Sequence, residues 1–150
     1  MTILGSGFEL RRRRMSYEFR NLVFEGGGVK GIAYVGALES LGRRRILPQI
    51  RRVGGTSAGA INAALFALGY SNAATRELLA ELDFTSFLDA DWGVVRDTRR
   101  LLTRFGWYRG DAFHEWMEAR VAAQLGDRRA TLGQLREAGR PDLYVYGTNL

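Results

Sequence analysis

Apolar residues along this chain fall into short blocks punctuated by glycine, arginine and proline. Leu22-Val23-Phe24 is a brief apolar run followed by Gly26-Gly27-Gly28, which by length and flanks predicts a buried strand. Ile32, Val35, Gly36 and Leu41 then recur at roughly helical spacing up to Arg43–Arg45, and Pro48 prevents continuation. A second short strand is expected to end at Val53-Gly54. Behind it AGAINAALFALG is apolar on nearly every face and closes at Gly69, the pattern of a buried helix.

Residues 72–82 carry Leu78, Leu79 and Leu82 and predict another helix. From Phe84 to Arg109 no period stands out, as expected of a partly helical excursion or cap. Residues 111–125 recover an amphipathic stripe of Phe113, Trp116, Met117, Val121 and Leu125. Thr131 and Gln134 have capping-box spacing for a short helix to about Ala138. Pro141 ends it, and Leu143-Tyr144-Val145-Tyr146 reads as a strand. Strands alternating with helices imply a parallel sheet with helices on its faces.

Composition agrees with a single globular domain: 150 residues, 46% hydrophobic and 25% charged. No apolar run approaches the roughly 18–20 residues of a membrane-spanning helix. Arg11–Arg14 is not followed by the apolar segment of a secretory signal, so the compartment stays open between cytoplasmic and non-classically secreted. Residues 1–19 read as a flexible basic leader. With no cysteine, disulfides and thiolate metal sites are excluded. The formal charge is +6, and Lys30 is the single lysine among 22 basic residues. The arginine runs are short and not interleaved with aromatics, which argues against a nucleic-acid surface.

Candidate chemistry sits at two glycine turns. Gly55-Thr56-Ser57-Ala58-Gly59 fits G-x-S-x-G between a strand and a helix, the context of a nucleophilic serine on a tight turn. The same residues also describe an ordinary β-α turn whose serine caps the helix. One β-α unit upstream, Gly26, Gly27 and Gly28 give a backbone that can approach a ligand and turn its N–H groups outward. On adjacent parallel strands both turns emerge at one carboxyl edge, so that one supplies a nucleophile and the other oxyanion donors.

Gly26, Gly28 and Gly31 also satisfy G-x-G-x-x-G. The acidic residue a dinucleotide site expects about 20 positions on is missing, Gln49-Ile50-Arg51-Arg52 standing there instead. An arginine there suits a cofactor 2′-phosphate, which leaves a thin dinucleotide alternative open. A P-loop is ruled out because Gly31, not Ser or Thr, follows Lys30.

NLVFEGGGVKGIAYVGAL followed by GGTSAGAINA resembles the N-terminal half of a patatin-like phospholipase domain, and DLYVYGTNL is similar to that family's next core strand. The resemblance implies an α/β fold, a three-layer α/β/α sandwich with a mainly parallel central sheet. Residues 20–150 would be its N-terminal part, incomplete at the C-terminus. It implies a serine lipid acyl hydrolase with Ser57 as nucleophile, the Gly26, Gly27 and Gly28 amides as oxyanion hole, and neither metal nor organic cofactor. Lys30 fills the family's basic position, either as an anion contact or as a plain surface charge. The implied partner is a phospholipid or other acyl-ester lipid, with peripheral contact to a membrane surface.

The family's base is an aspartate preceding glycine. Asp-Gly occurs nowhere in the 150 residues, so that aspartate is expected beyond residue 150, and the 150 residues alone are expected to be inactive. Two alternatives stand beside this reading. One is an α/β-hydrolase-like esterase using His114, the only histidine, in the order Ser57, then Asp91, Asp97 or Asp111, then His114. The other is a non-catalytic lipid-binding or regulatory module of the same fold.

Overall fold

The computed structural model describes residues 18–82 and 110–147. Most of the expected leader and the aperiodic stretch after Phe84 lie outside them, as do Asp91 and Asp97. Three strands, β1 (Asn21–Phe24), β2 (Arg52–Thr56) and β3 (Asp142–Tyr146), form a sheet in the order β1-β2-β3. Both pairings are parallel, with Phe24 opposite Gly55 and Gly55 opposite Val145. The mainly parallel α/β architecture expected from the strand-helix alternation is therefore present.

The helices are α1 (Ala33–Arg43), α2 (Ala58–Leu68), α3 (Asn72–Ala80), α4 (Asp111–Leu125) and α5 (Leu132–Glu137). One-turn 3-10 segments at Gly28–Ile32 and Leu47–Gln49 precede α1 and β2. Four helix boundaries have a clear local cause. Arg45 adopts φ 58°, and the Ile46 N–H returns to the Leu41 carbonyl, so the chain leaves α1 before Pro48 is reached. Gly69 at φ 87° closes α2. The Ser71 side chain accepts from the Ala74 N–H to open α3. At α5 the Thr131 hydroxyl accepts from the Gln134 N–H while Gln134 accepts from the Thr131 N–H, completing the expected capping box.

The core lies where α2 crosses one face of the sheet. Phe24, Val53, Ala63, Ala67 and Leu68 form one buried cluster with Leu38 and Leu135. Val35, Ile61, Leu65 and Leu79 join α1, α2 and α3 in a second. Leu65 is wholly buried, worth roughly 1.5–3 kcal/mol in transfer free energy. The all-round apolar pattern of residues 58–68 has its explanation here, since α2 packs on the sheet and against residues of α1, α3, α4 and α5.

Two expectations need correction. Leu22-Val23-Phe24 is not buried throughout: Phe24 is 3% exposed but Val23 is 75% exposed. Successive side chains of a strand point to opposite faces, and on the face away from α2 Val23 stands with exposed Tyr144 and Tyr146. Among the described residues only the α2 side of the sheet carries a helical layer. Strand β2 also runs on to Thr56 rather than ending at Gly54, because Gly55 and Thr56 keep pairing with Val145 and Tyr146.

Candidate active site

Parallel pairing brings both glycine turns to the same edge of the sheet. Phe24 ends β1 and leads into Gly26–Gly28, while Thr56 ends β2 and leads into Ser57 and α2. Ser57 adopts φ 50° and ψ −131°, a positive-φ conformation that a side chain normally avoids. The strain is held by what surrounds it. A Cβ on Gly59 would overlap the Phe24 and Glu25 carbonyl oxygens, and one on Gly55 would overlap the Gly59 carbonyl. Only two glycines let the first turn of α2 sit this tightly against the strand ends. The Ser57 carbonyl meanwhile accepts from the Ala60 N–H at 2.8 Å, starting the helix.

The upstream turn closes on Ser57 from the other side. A Cβ at Gly26 would lie 3.2 Å from the Ser57 Cβ and 3.3 Å from the Thr56 carbonyl oxygen, so the two turns touch backbone to backbone. Gly28 has φ 56°, where glycine alone is unstrained. The Tyr34 hydroxyl donates to the Glu25 carbonyl at 2.9 Å, and its ring stands edge-on to Phe24, 5.0 Å between centroids. Gly31 packs close to Ala58 and Asn62. Lys30 is exposed; its backbone N–H donates to the Gly27 carbonyl at 3.2 Å.

Ser57 and Gly28 both line a cavity of about 550 Å³, whereas Gly26 and Gly27 are not among its lining residues. Its walls are apolar: Ile61 and Ala64 of α2, Met117 and Val121 of α4, and Leu132 and Leu143 beyond. Among the described residues that line it, none carries a carboxylate or an imidazole. The 111–125 stripe supplies one wall through Phe113, Met117, Val121 and Leu125. Trp116 instead stacks on Phe113 under Arg120.

His114 is not brought to Ser57. It points away from the cavity, its side chain is 75% exposed, and Nε2 lies 3.7 Å from Glu118 one turn on. Asp111 is exposed at the start of α4. Among the described residues no group of histidine and carboxylate side chains is arranged to hold a metal ion. Sequence reading passed over two residues at this site, Tyr34 and Asn62. The signal for Asn62 was available: it is the one polar side chain in an otherwise apolar helix.

Residues 22–146 match the family model of the patatin-like phospholipases. The chain belongs to that family. The patatin-like chain is 39% identical over 99 residues to YqhO of Bacillus subtilis, covering 63% of this chain and 33% of YqhO. Among solved structures it superposes on VipD from Legionella pneumophila with TM-score 0.59 at 30% identity, covering 74% of this chain and 18% of VipD. ExoU of Pseudomonas aeruginosa, solved in complex with SpcU, matches with TM-score 0.60 at 26% identity, covering 87% of this chain and 32% of ExoU. The patatin-like chain thus spans about a third of YqhO and of ExoU. No helix among the described residues is long and apolar enough to cross a membrane.

Proposed function

We propose that this domain carries the nucleophile and oxyanion site of a serine lipid acyl hydrolase acting on carboxylic esters of phospholipid or related acyl lipids. One observation carries the reading. A serine in a strained positive-φ conformation lines an apolar cavity of about 550 Å³ together with Gly28 of the glycine turn. A strained polar residue at the mouth of an apolar pocket is the arrangement expected when a reacting group must meet a hydrocarbon-bearing substrate.

In the proposed reaction the acyl chain lies along the apolar walls and its carbonyl meets Ser57. The Ser57 proton passes to a base as Oγ bonds the carbonyl carbon. The resulting oxyanion rests on amides of Gly26, Gly27 and Gly28. Collapse breaks the ester C–O bond, and the leaving alcohol takes the proton from the base. Water then attacks the acyl-serine, giving its proton to the same base, and the fatty acid departs as Oγ recovers a proton.

The family's base, an aspartate preceding glycine, has no counterpart in these 150 residues. Proton abstraction would then fall to a group outside them. Lys30 is exposed beside the turn, suited to meeting a lipid phosphate as substrate enters, and no step of the chemistry depends on it.

A binding-only alternative is favoured by one observation, the lack of carboxylate and imidazole among the described residues lining the cavity. The two readings separate on Ser57→Ala in the full protein. Loss of ester hydrolysis and of labelling by a fluorophosphonate, with fatty-acid binding retained, supports the hydrolase. Hydrolysis that persists in Ser57→Ala refutes it.

A further inference from the structure

The nucleophile and the glycine turn belong to different β-α units, so nothing covalent sets the distance between them. Asn62 bridges that gap. Its side chain is 1% exposed, on a helix whose neighbouring positions Ile61, Ala63, Ala64 and Leu65 are all apolar. Its amide nitrogen has two protons and two acceptors. Nδ2 donates to the Ala58 carbonyl at 3.0 Å, the residue directly after Ser57. It also donates to the Gly31 carbonyl at 3.3 Å, 31 positions earlier in the chain. Gly31 lies in the single 3-10 turn that begins at Gly28.

The local packing is arranged around this bond. A Cβ on Gly31 would stand 3.2 Å from the Ala58 Cβ and 3.3 Å from Asn62 Nδ2, so glycine permits the close approach. Asn62 Oδ1 is buried and has no hydrogen-bond partner among the described residues. Burying an amide oxygen without a donor is unfavourable, and an apolar residue would avoid it. Core filling alone gives no reason for an amide here, whereas joining two backbone carbonyls of separate turns does.

We propose that Asn62 is a positioning residue of the acyl-transfer site, holding the Gly26–Gly28 amides in register with Ser57 by pinning Gly31 to the start of α2. The inference rests on the reading of Ser57 as the nucleophile. Oxyanion donors act through preorganisation, so their placement matters to the transition state far more than to substrate binding. Substrate is held chiefly by the cavity walls, which Asn62 does not form.

The test uses the full protein with 4-nitrophenyl butyrate, comparing wild type with Asn62→Ala, Asn62→Ser and Ser57→Ala. Asn62→Ala removes both bonds. A serine can still bond the carbonyl four residues back but is too short to serve both acceptors. We expect kcat to fall roughly 10- to 100-fold in both Asn62 variants, as for small misplacements of catalytic groups. KM should stay within about twofold, marking loss of transition-state rather than ground-state interaction. Fluorophosphonate labelling of Ser57 should slow in parallel.

A folded Asn62→Ala with wild-type kcat overturns the proposal. If Asn62→Ala does not fold, Asn62→Ser decides on the same criterion. Failure of both to fold makes Asn62 a core residue and also overturns it. Ser57→Ala separates the two levels. Turnover unchanged in Ser57→Ala rejects the nucleophile and with it this inference, whereas an inactive Ser57→Ala beside a fully active Asn62→Ala rejects the inference alone.

Discussion

Gly59 and Phe24 meet where the first turn of α2 crosses the end of β1, and the Phe24 carbonyl oxygen occupies the space in which a Cβ at position 59 would stand. The contact is between backbones, which cannot swing aside as a side chain can. It places the Ser57 turn against the Glu25–Gly28 turn.

Gly59→Ala should therefore be costly although alanine is the better helix former. Overpacking usually costs about 1–3 kcal/mol, and a backbone neighbour puts this case at or above the upper end. Urea unfolding should show a lower midpoint with an unchanged slope. A midpoint equal to or higher than wild type would mean that helix propensity wins and the strand-helix contact is looser than described.

The strain at Ser57 makes a separable prediction. Its φ of 50° persists with any side chain that has a Cβ, so Ser57→Ala should leave stability close to wild type. Ser57→Gly removes the penalty of about 1–3 kcal/mol for such a conformation and loses roughly 0.5–1 kcal/mol to unfolded-chain entropy. The net gain expected is about 1 kcal/mol, measured by chemical denaturation. Equal stability of the alanine and glycine variants would show that the turn relaxes.

Met117 offers a test of the cavity. It faces the space shared with Ser57 from α4, a separate element from the two turns. Met117→Trp should fill part of the volume. In the full protein, hydrolysis of long-chain esters should drop about tenfold relative to short-chain esters, the scale on which an apolar pocket discriminates by size. A parallel change on both chain lengths would argue that the acyl chain lies elsewhere.

His114→Ala should change little. The side chain is largely exposed, its neighbour is Glu118, and it does not line the Ser57 cavity. The partly buried Glu118 carboxylate is also reached by Arg128 at 3.2 Å, so it keeps a cationic partner when His114 is removed. Ester turnover within about twofold of wild type is expected, since a general base must lie within hydrogen-bond reach of the proton it takes. Turnover abolished in His114→Ala would restore the histidine alternative.

Much of this protein was legible residue by residue. The three strands, the α2 helix apolar all round, the Thr131 capping box and the placement of Ser57 between strand and helix all follow from short-range signals: periodicity, caps, glycines and prolines. Such signals act within a few residues of one another, so they survive reading the chain as a string. The meeting of the Gly26 turn with Ser57 was expected as well, from adjacent parallel strands. Tertiary structure alone decided the rest. That α4 walls the cavity on its Met117 side while His114 faces out, and that Asn62 reaches Gly31, depend on how separate β-α units pack. The exposure of Val23 was decided the same way, because which face of a strand is covered depends on elements that local patterning does not position. Close-packed interiors have few alternative arrangements, so contacts between distant residues are specific, but their partners are chosen by the whole fold: the lone amide of apolar α2 marks Asn62 as unusual without pointing to Gly31.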